Sequence, residues 1–111
     1  MKVALEYTRV RDAEEMARRL IQQTGIELEV LLRGKITFIS CVATYSSWTQ
    51  AKPYIEKVQN GLEQLGGITA PIRLMRNEKE GFKSEGEILS LVEQEILALL
   101  PTLDETIASQ S

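Results

Sequence analysis

The chain has no histidine and one cysteine, Cys41. Without histidine there is no imidazole base to activate a serine or cysteine nucleophile and no imidazole metal ligand. A single cysteine closes no internal disulfide, forms no Cys-x-x-Cys redox pair, and rules out zinc sites built on Cys/His clusters. Cys41 is therefore expected to act as a small buried hydrophobe. No apolar run approaches the ~18 residues that span a bilayer. Glu6 interrupts the N-terminus before a signal-peptide core can form. The acidic residues Glu78, Glu80, Glu85, Glu87, Glu93 and Glu95 lack the spacing of an EF-hand loop. These absences predict a cytoplasmic protein with no cofactor, no metal site and no membrane partner.

What is present is an ordinary globular composition, unevenly charged. The 111 residues are 43% hydrophobic and 26% charged, with a net charge of −3. Residues 1–76 hold 11 Lys/Arg against 8 Asp/Glu, and residues 77–111 hold 2 against 8. A mildly basic body thus carries an acidic C-terminal third, which suits either a solvated helix surface or a protein partner. Net acidity argues against nonspecific nucleic-acid binding, because that binding relies on neutralising phosphates.

Hydrophobic periodicity gives the element order. Val3, Leu5 and Tyr7 alternate as a first strand. Asp12 and Glu15 form a capping-box pattern ahead of Met16, Ala17, Leu20 and Ile21 at helical spacing, with Gly25 as the stop. Leu28, Val30 and Leu32 mark a second strand, and Ile36, Phe38 and Val42 a third. A three-residue loop, Leu32-Arg33-Gly34, is expected to set Val30 against Ile36 and Leu28 against Phe38. A two-residue loop would instead set that face against Thr37, Ile39 and Cys41, which is less apolar, and a one-residue slip flips every side chain. Ser47 with Gln50 caps a second helix, kinked near Ala51 or starting at Pro53, and Gly66-Gly67 ends it. Ile72 and Leu74 mark a fourth strand. Ile88, Val92, Ile96 and Leu99 lie on the apolar arc of a last helix.

The order βαββαβ is that of the split-βαβ, ferredoxin-like α+β sandwich, with strand order 4-1-3-2. A single domain over 1–103, including a C-terminal helix over 84–100, is followed by a polar tail, 104–111, expected to be disordered. The first and third strands are expected to lie parallel at the centre of the sheet, with both helices on one face. Ala4, Glu6, Leu31, Thr37, Ile39, Cys41, Arg73 and Met75 then fall on the other face. That face is too apolar to be left fully wet, so the last helix or a second copy of the chain should cover it. The expected interface is Leu31, Ile39, Cys41 and Met75 together with Ile88, Val92, Ile96 and Leu99.

The same placement brings two rims together. Thr8, Arg9, Arg11, Tyr45, Ser46, Ser47 and Trp48 would gather at two helix N-termini, where unpaired N–H groups favour an anion or ligand. Lys2, Arg33, Lys35 and Arg76 would form a basic edge. Arg33-Gly34 faintly resembles the start of an RNA-recognition RNP1 motif, but Lys35 and Thr37 occupy its stacking positions, so the base-stacking aromatics are missing. These features predict a non-catalytic binding, regulatory or assembly module acting as a homo-oligomer. A small cofactor-independent enzyme of the dimeric α/β-barrel type is the alternative, and a nucleic-acid-associated protein using the basic edge is a third reading.

Overall fold

The computed structural model describes residues 1–95 and 97. Period-two alternation becomes strand in β1 (Lys2–Tyr7), β2 (Leu28–Arg33), β3 (Ile36–Cys41) and β4 (Ile72–Met75). A two-residue strand, β5 (Lys83–Ser84), follows. Period 3.6 becomes helix in α1 (Ala13–Thr24), in α2 (Trp48–Gly66), and in α3 over residues 85–95. The fold is α+β, with one antiparallel sheet in the order β2-β3-β1-β4-β5. Among the described residues no helix is long and apolar enough to cross a membrane. Ile96, Leu99 and the tail 104–111 lie outside the described residues.

The sheet corrects two expectations. β5 extends the four-strand order on the β4 side. β1 and β3 run antiparallel, Ala4 opposite Ser40 and Tyr7 opposite Thr37, where parallel pairing was expected. The reason is connectivity. The α1 crossover returns β2 parallel to β1, and the β2–β3 hairpin then reverses the chain, so β3 opposes both neighbours.

The hairpin loop is two residues, not three. Arg33 pairs with Ile36, and Gly34 has a φ of 63°. Lys35 has no positive φ, so the loop has the type II′ pattern with glycine at its first central position. Val30 therefore opposes Ile39 and Leu28 opposes Cys41. Thr37, Ile39 and Cys41 share a face with α1 and α2, whereas Ile36 and Phe38 point away. The three-residue register matches the more apolar residues on one face, a criterion that fails here because Phe82 also covers Phe38 on the far face.

On the helix side, Val3, Leu5, Ile39, Cys41 and Leu74 pack with Leu20 of α1 and Ile55, Val58 and Leu62 of α2, all without exposure. Full burial of each such aliphatic side chain contributes about 1.5–3 kcal/mol. Gly25 closes α1 at a φ of 73°, its N–H bonding the Ile21 carbonyl. α2 begins at Trp48 and continues through Pro53.

On the other side, Ala4, Phe38, Ser40 and Met75 are also buried. Among the described residues the cover comes not from α3 but from the loop between β4 and β5. Its Phe82 stacks on Phe38 with ring centroids 4.4 Å apart. Its Glu78 reaches Arg33 at 3.8 Å, and Glu6 pairs with Arg73 at 3.0 Å on the same face. α3 joins the helix side through Ile88, which is 1% exposed within the main core.

Candidate functional site

The direction of β3 decides where the expected site residues go. Thr8, Arg9 and Arg11 follow β1 and lie at the end of the sheet where β3 begins, beside Lys35. Tyr45, Ser46, Ser47 and Trp48 follow β3 and lie where β1 begins. Met1 and Tyr45 mark that end, the Met1 ammonium donating to the Tyr45 carbonyl at 2.6 Å and the Tyr45 N–H to the Met1 carbonyl at 2.8 Å. The expected rim is thus two groups at opposite ends, about 20 Å apart for a six-residue strand. The same reversal divides the basic edge, with Arg33 and Lys35 at one end and Lys2 and Arg76 at the other.

At the first end the chain turns through a single 3-10 turn, Val10–Asp12, before α1. Asp12 stands at the N-cap position, but its side chain makes no capping bond. Its Oδ1 is instead buried, together with the Tyr7 hydroxyl and the Thr37 hydroxyl. Among the described residues none of the three makes a hydrogen bond of ordinary geometry, although Asp12 lies close enough to act on the Tyr7 phenol. Burial first, and then the Asp12 carboxylate, raise the Tyr7 phenol above its ordinary range. Each unpartnered buried polar group costs about 1–3 kcal/mol. A cleft of about 190 Å³ opens alongside, lined by Glu6, Tyr7, Thr8, Val10, Lys35, Ile36 and Thr37. Two carboxylates flank this end, Glu6 held by Arg73 at 3.0 Å and Asp12 near Arg9 at 4.0 Å. They work against an anion site. The Tyr7–Asp12–Thr37 group was missed in the sequence because Asp12 fits a capping box and Thr37 was placed on the opposite face.

At the second end each expected residue has a structural task. The Ser47 hydroxyl accepts the Gln50 N–H at 3.3 Å, and Ser46 bonds the Gln50 side chain. Tyr45 stacks on Tyr54 with centroids 5.2 Å apart. Burial, and then the neighbouring Cys41 thiol, push the Tyr45 phenol up to about 12. Burial raises the Cys41 thiol as well, which keeps it protonated and unreactive. The Trp48 indole N–H donates to Glu85 Oε1 at 2.7 Å and so ties α2 to the first turn of α3. Tyr7 and Trp48 stand at opposite ends of β1, and the cleft beside Tyr7 does not include Trp48.

The basic residues are largely engaged. Lys2 pairs with Glu29 at 2.7 Å, and Arg76 with Glu80 at 3.0 Å and Glu95 at 2.9 Å. Of the expected interface, Ile39, Cys41, Met75 and Ile88 are buried within the protomer, and Leu31 is half-buried. Val92 remains on the surface at 37% exposure, beside Leu89 at 46% and with Leu97 at 61% further along. Among the described residues no group of three or more His, Cys, Asp or Glu side chains is placed to hold a metal ion. No family model matches the chain, and no curated protein or solved structure is detectably similar to it.

Proposed function

We propose that the protein is a non-catalytic, cytoplasmic binding and assembly module with a ferredoxin-like core, and that it works as a homo-oligomer. One observation carries this reading. α3 is fastened to its own protomer by Ile88 and half-buried Leu91, yet it leaves Leu89, Val92 and Leu97 in water. A second copy is the occupant that fits, because the chain supplies both signs of charge. Residues 77–111 carry 8 Asp/Glu against 2 Lys/Arg, while residues 1–76 carry an excess of basic residues. The lack of histidine and the raised Cys41 thiol favour binding over catalysis. The engagement of Lys2, Arg33 and Arg76 by carboxylates disfavours the nucleic-acid reading.

Light scattering coupled to size-exclusion chromatography tests this on the full chain and on the double variant Leu89→Glu, Val92→Glu. The full chain is expected to be an oligomer, and the double variant to lose at least half of that mass while keeping its circular dichroism. A full chain that stays monomeric across a concentration series overturns the reading.

A further inference from the structure

β2 is the outermost strand of the sheet, and among the described residues nothing pairs with its free side. We propose that two copies of the chain join through this edge, β2 against β2 in antiparallel register about a two-fold axis at Leu31, so that one sheet runs through both protomers. The inference rests on the self-association reading above but assigns it a second surface, remote from α3.

Backbone phase supports the pairing. The Val42 N–H bonds the Glu27 carbonyl at 3.1 Å, just beyond the β2–β3 ladder. The antiparallel alternation then turns the bonding groups of Glu29, Leu31 and Arg33 toward β3, and those of Leu28, Val30 and Leu32 toward the free edge. With the axis at Leu31, Val30 faces Leu32 of the second copy, and both present outward N–H and C=O groups. The pair is therefore properly phased, and symmetry supplies it twice. Leu31 faces its own copy in a non-hydrogen-bonded position, where side chains approach most closely.

Side chains agree with the backbone. Leu32 is 60% exposed on the helix side. Opposite Val30 it would enter a groove of about 440 Å³ between α1 and β2, whose lining includes Ala17, Ile21 and Leu28. On the other face the register sets Glu29 against Arg33 of the second copy. Within each protomer Glu29 pairs with Lys2 at 2.7 Å and Glu78 reaches Arg33 at 3.8 Å, so dimerisation joins these ion pairs into one network that symmetry doubles. A slip of the axis to Val30 would set Glu29 against Leu31. β2 carries two charged residues, Glu29 and Arg33, which the register uses as a pair, but it contains no proline, lysine or bulge, and its centre is the apolar run Val30-Leu31-Leu32.

The test pairs a cross-link with a charge exchange. Leu31→Cys, in the full chain with buried Cys41 retained, is expected to form a covalent dimer on mild oxidation with oxidised glutathione. Ser46→Cys, at a distant exposed site, is the control that should not. Glu29→Arg and Arg33→Glu are each expected to weaken the dimer about tenfold, and the double exchange to restore it. Repeating these measurements in the Leu89→Glu, Val92→Glu background separates the two surfaces. A β2 dimer that persists there supports the present inference. An oligomer that α3 substitutions abolish, with Leu31→Cys cross-linking no faster than the control and no rescue by the exchange, overturns this inference and leaves the α3 reading standing. A wild-type monomer with neither signal overturns both.

Discussion

The two edges of the sheet are finished differently. The β4 edge carries β5, and α3 follows directly, with Ile88 in the core, Trp48 bonded to Glu85, and Arg76 bonded to Glu95. The β2 edge has six residues, no covering element among those described, and Leu32 in water. A strand edge in water presents unpaired N–H and C=O groups and invites pairing. Residues 77–95 cover the far face and reduce the outer strand on that side to two residues, whereas the β2 side keeps a six-residue edge. The difference teaches that the protomer finishes the β4 side with its own residues, as a closed edge, and leaves the long β2 edge open.

The largest effect should therefore come from the closed edge. Ile88→Ala is expected to lower unfolding stability by about 2–5 kcal/mol, the cost of an aliphatic cavity in a packed core. Leu89→Ala, one residue on and exposed, should stay within about 0.5 kcal/mol. Urea unfolding of both variants measures the contrast. Equal, small effects would mean that α3 is not part of the folded core and would erase the distinction between the edges.

How much of this was legible depends on the length of each signal. Four strands and three helices announced themselves through repeated apolar spacing, as in Val3-Leu5-Tyr7 or Met16-Leu20. β5 did not, because Lys83 and Ser84 are too short a run to show alternation and are strand only through pairing with Leu74 and Arg73. The hairpin loop is one residue shorter than expected, which moves the register by three: Val30 pairs with Ile39 rather than Ile36. Maximising apolar pairs on one face is a sound criterion only when the other face is wet, and here Phe82 dries it by stacking on Phe38. Taking β1 and β3 as parallel carried further, since it gathered Arg9 and Ser47 on one rim when the register places them at opposite ends. Arg9 and Ser47 each follow a strand end, but which end of the sheet depends on strand direction, which side-chain patterns do not encode.

The covering loop allows a smaller test. Phe82→Ala is expected to cost about 0.5–1.5 kcal/mol for the lost aromatic pair, beyond the area it uncovers. The variant should also expose Phe38, which a rise in binding of a hydrophobic dye would report. An unchanged urea midpoint would show that the far face holds without the loop. Toward the open edge, Thr37 pairs with Leu32 and carries a buried, unpartnered hydroxyl. Thr37→Val keeps the shape and removes that group, so it should stabilise the fold by about 1 kcal/mol. A loss of stability on this substitution would reveal a partner for the hydroxyl.

The smallest expected effect distinguishes how the closed edge is fastened. Arg76 bonds Glu80 in the covering loop and Glu95 in α3, so one guanidinium holds both. Hydrogen bonding from Arg76 lowers the Glu80 carboxyl below its ordinary value. A carboxyl lowered in the folded state binds its proton more weakly than in the unfolded chain. Its contribution is therefore complete above the unfolded glutamate value of about 4.3 and is lost as pH falls through the lower folded value. The pair is at the surface, so the change should be local rather than global. The Arg76 Nε–H resonance is expected to titrate with the Glu80 carboxyl below about pH 4.3, and Glu80→Gln to remove that titration. The Ile88 methyl resonances should stay fixed throughout, because apolar burial rather than charge anchors α3. If they move with Glu80, the closed edge is held by its ion pairs, and the contrast with the open edge is one of pH rather than of packing.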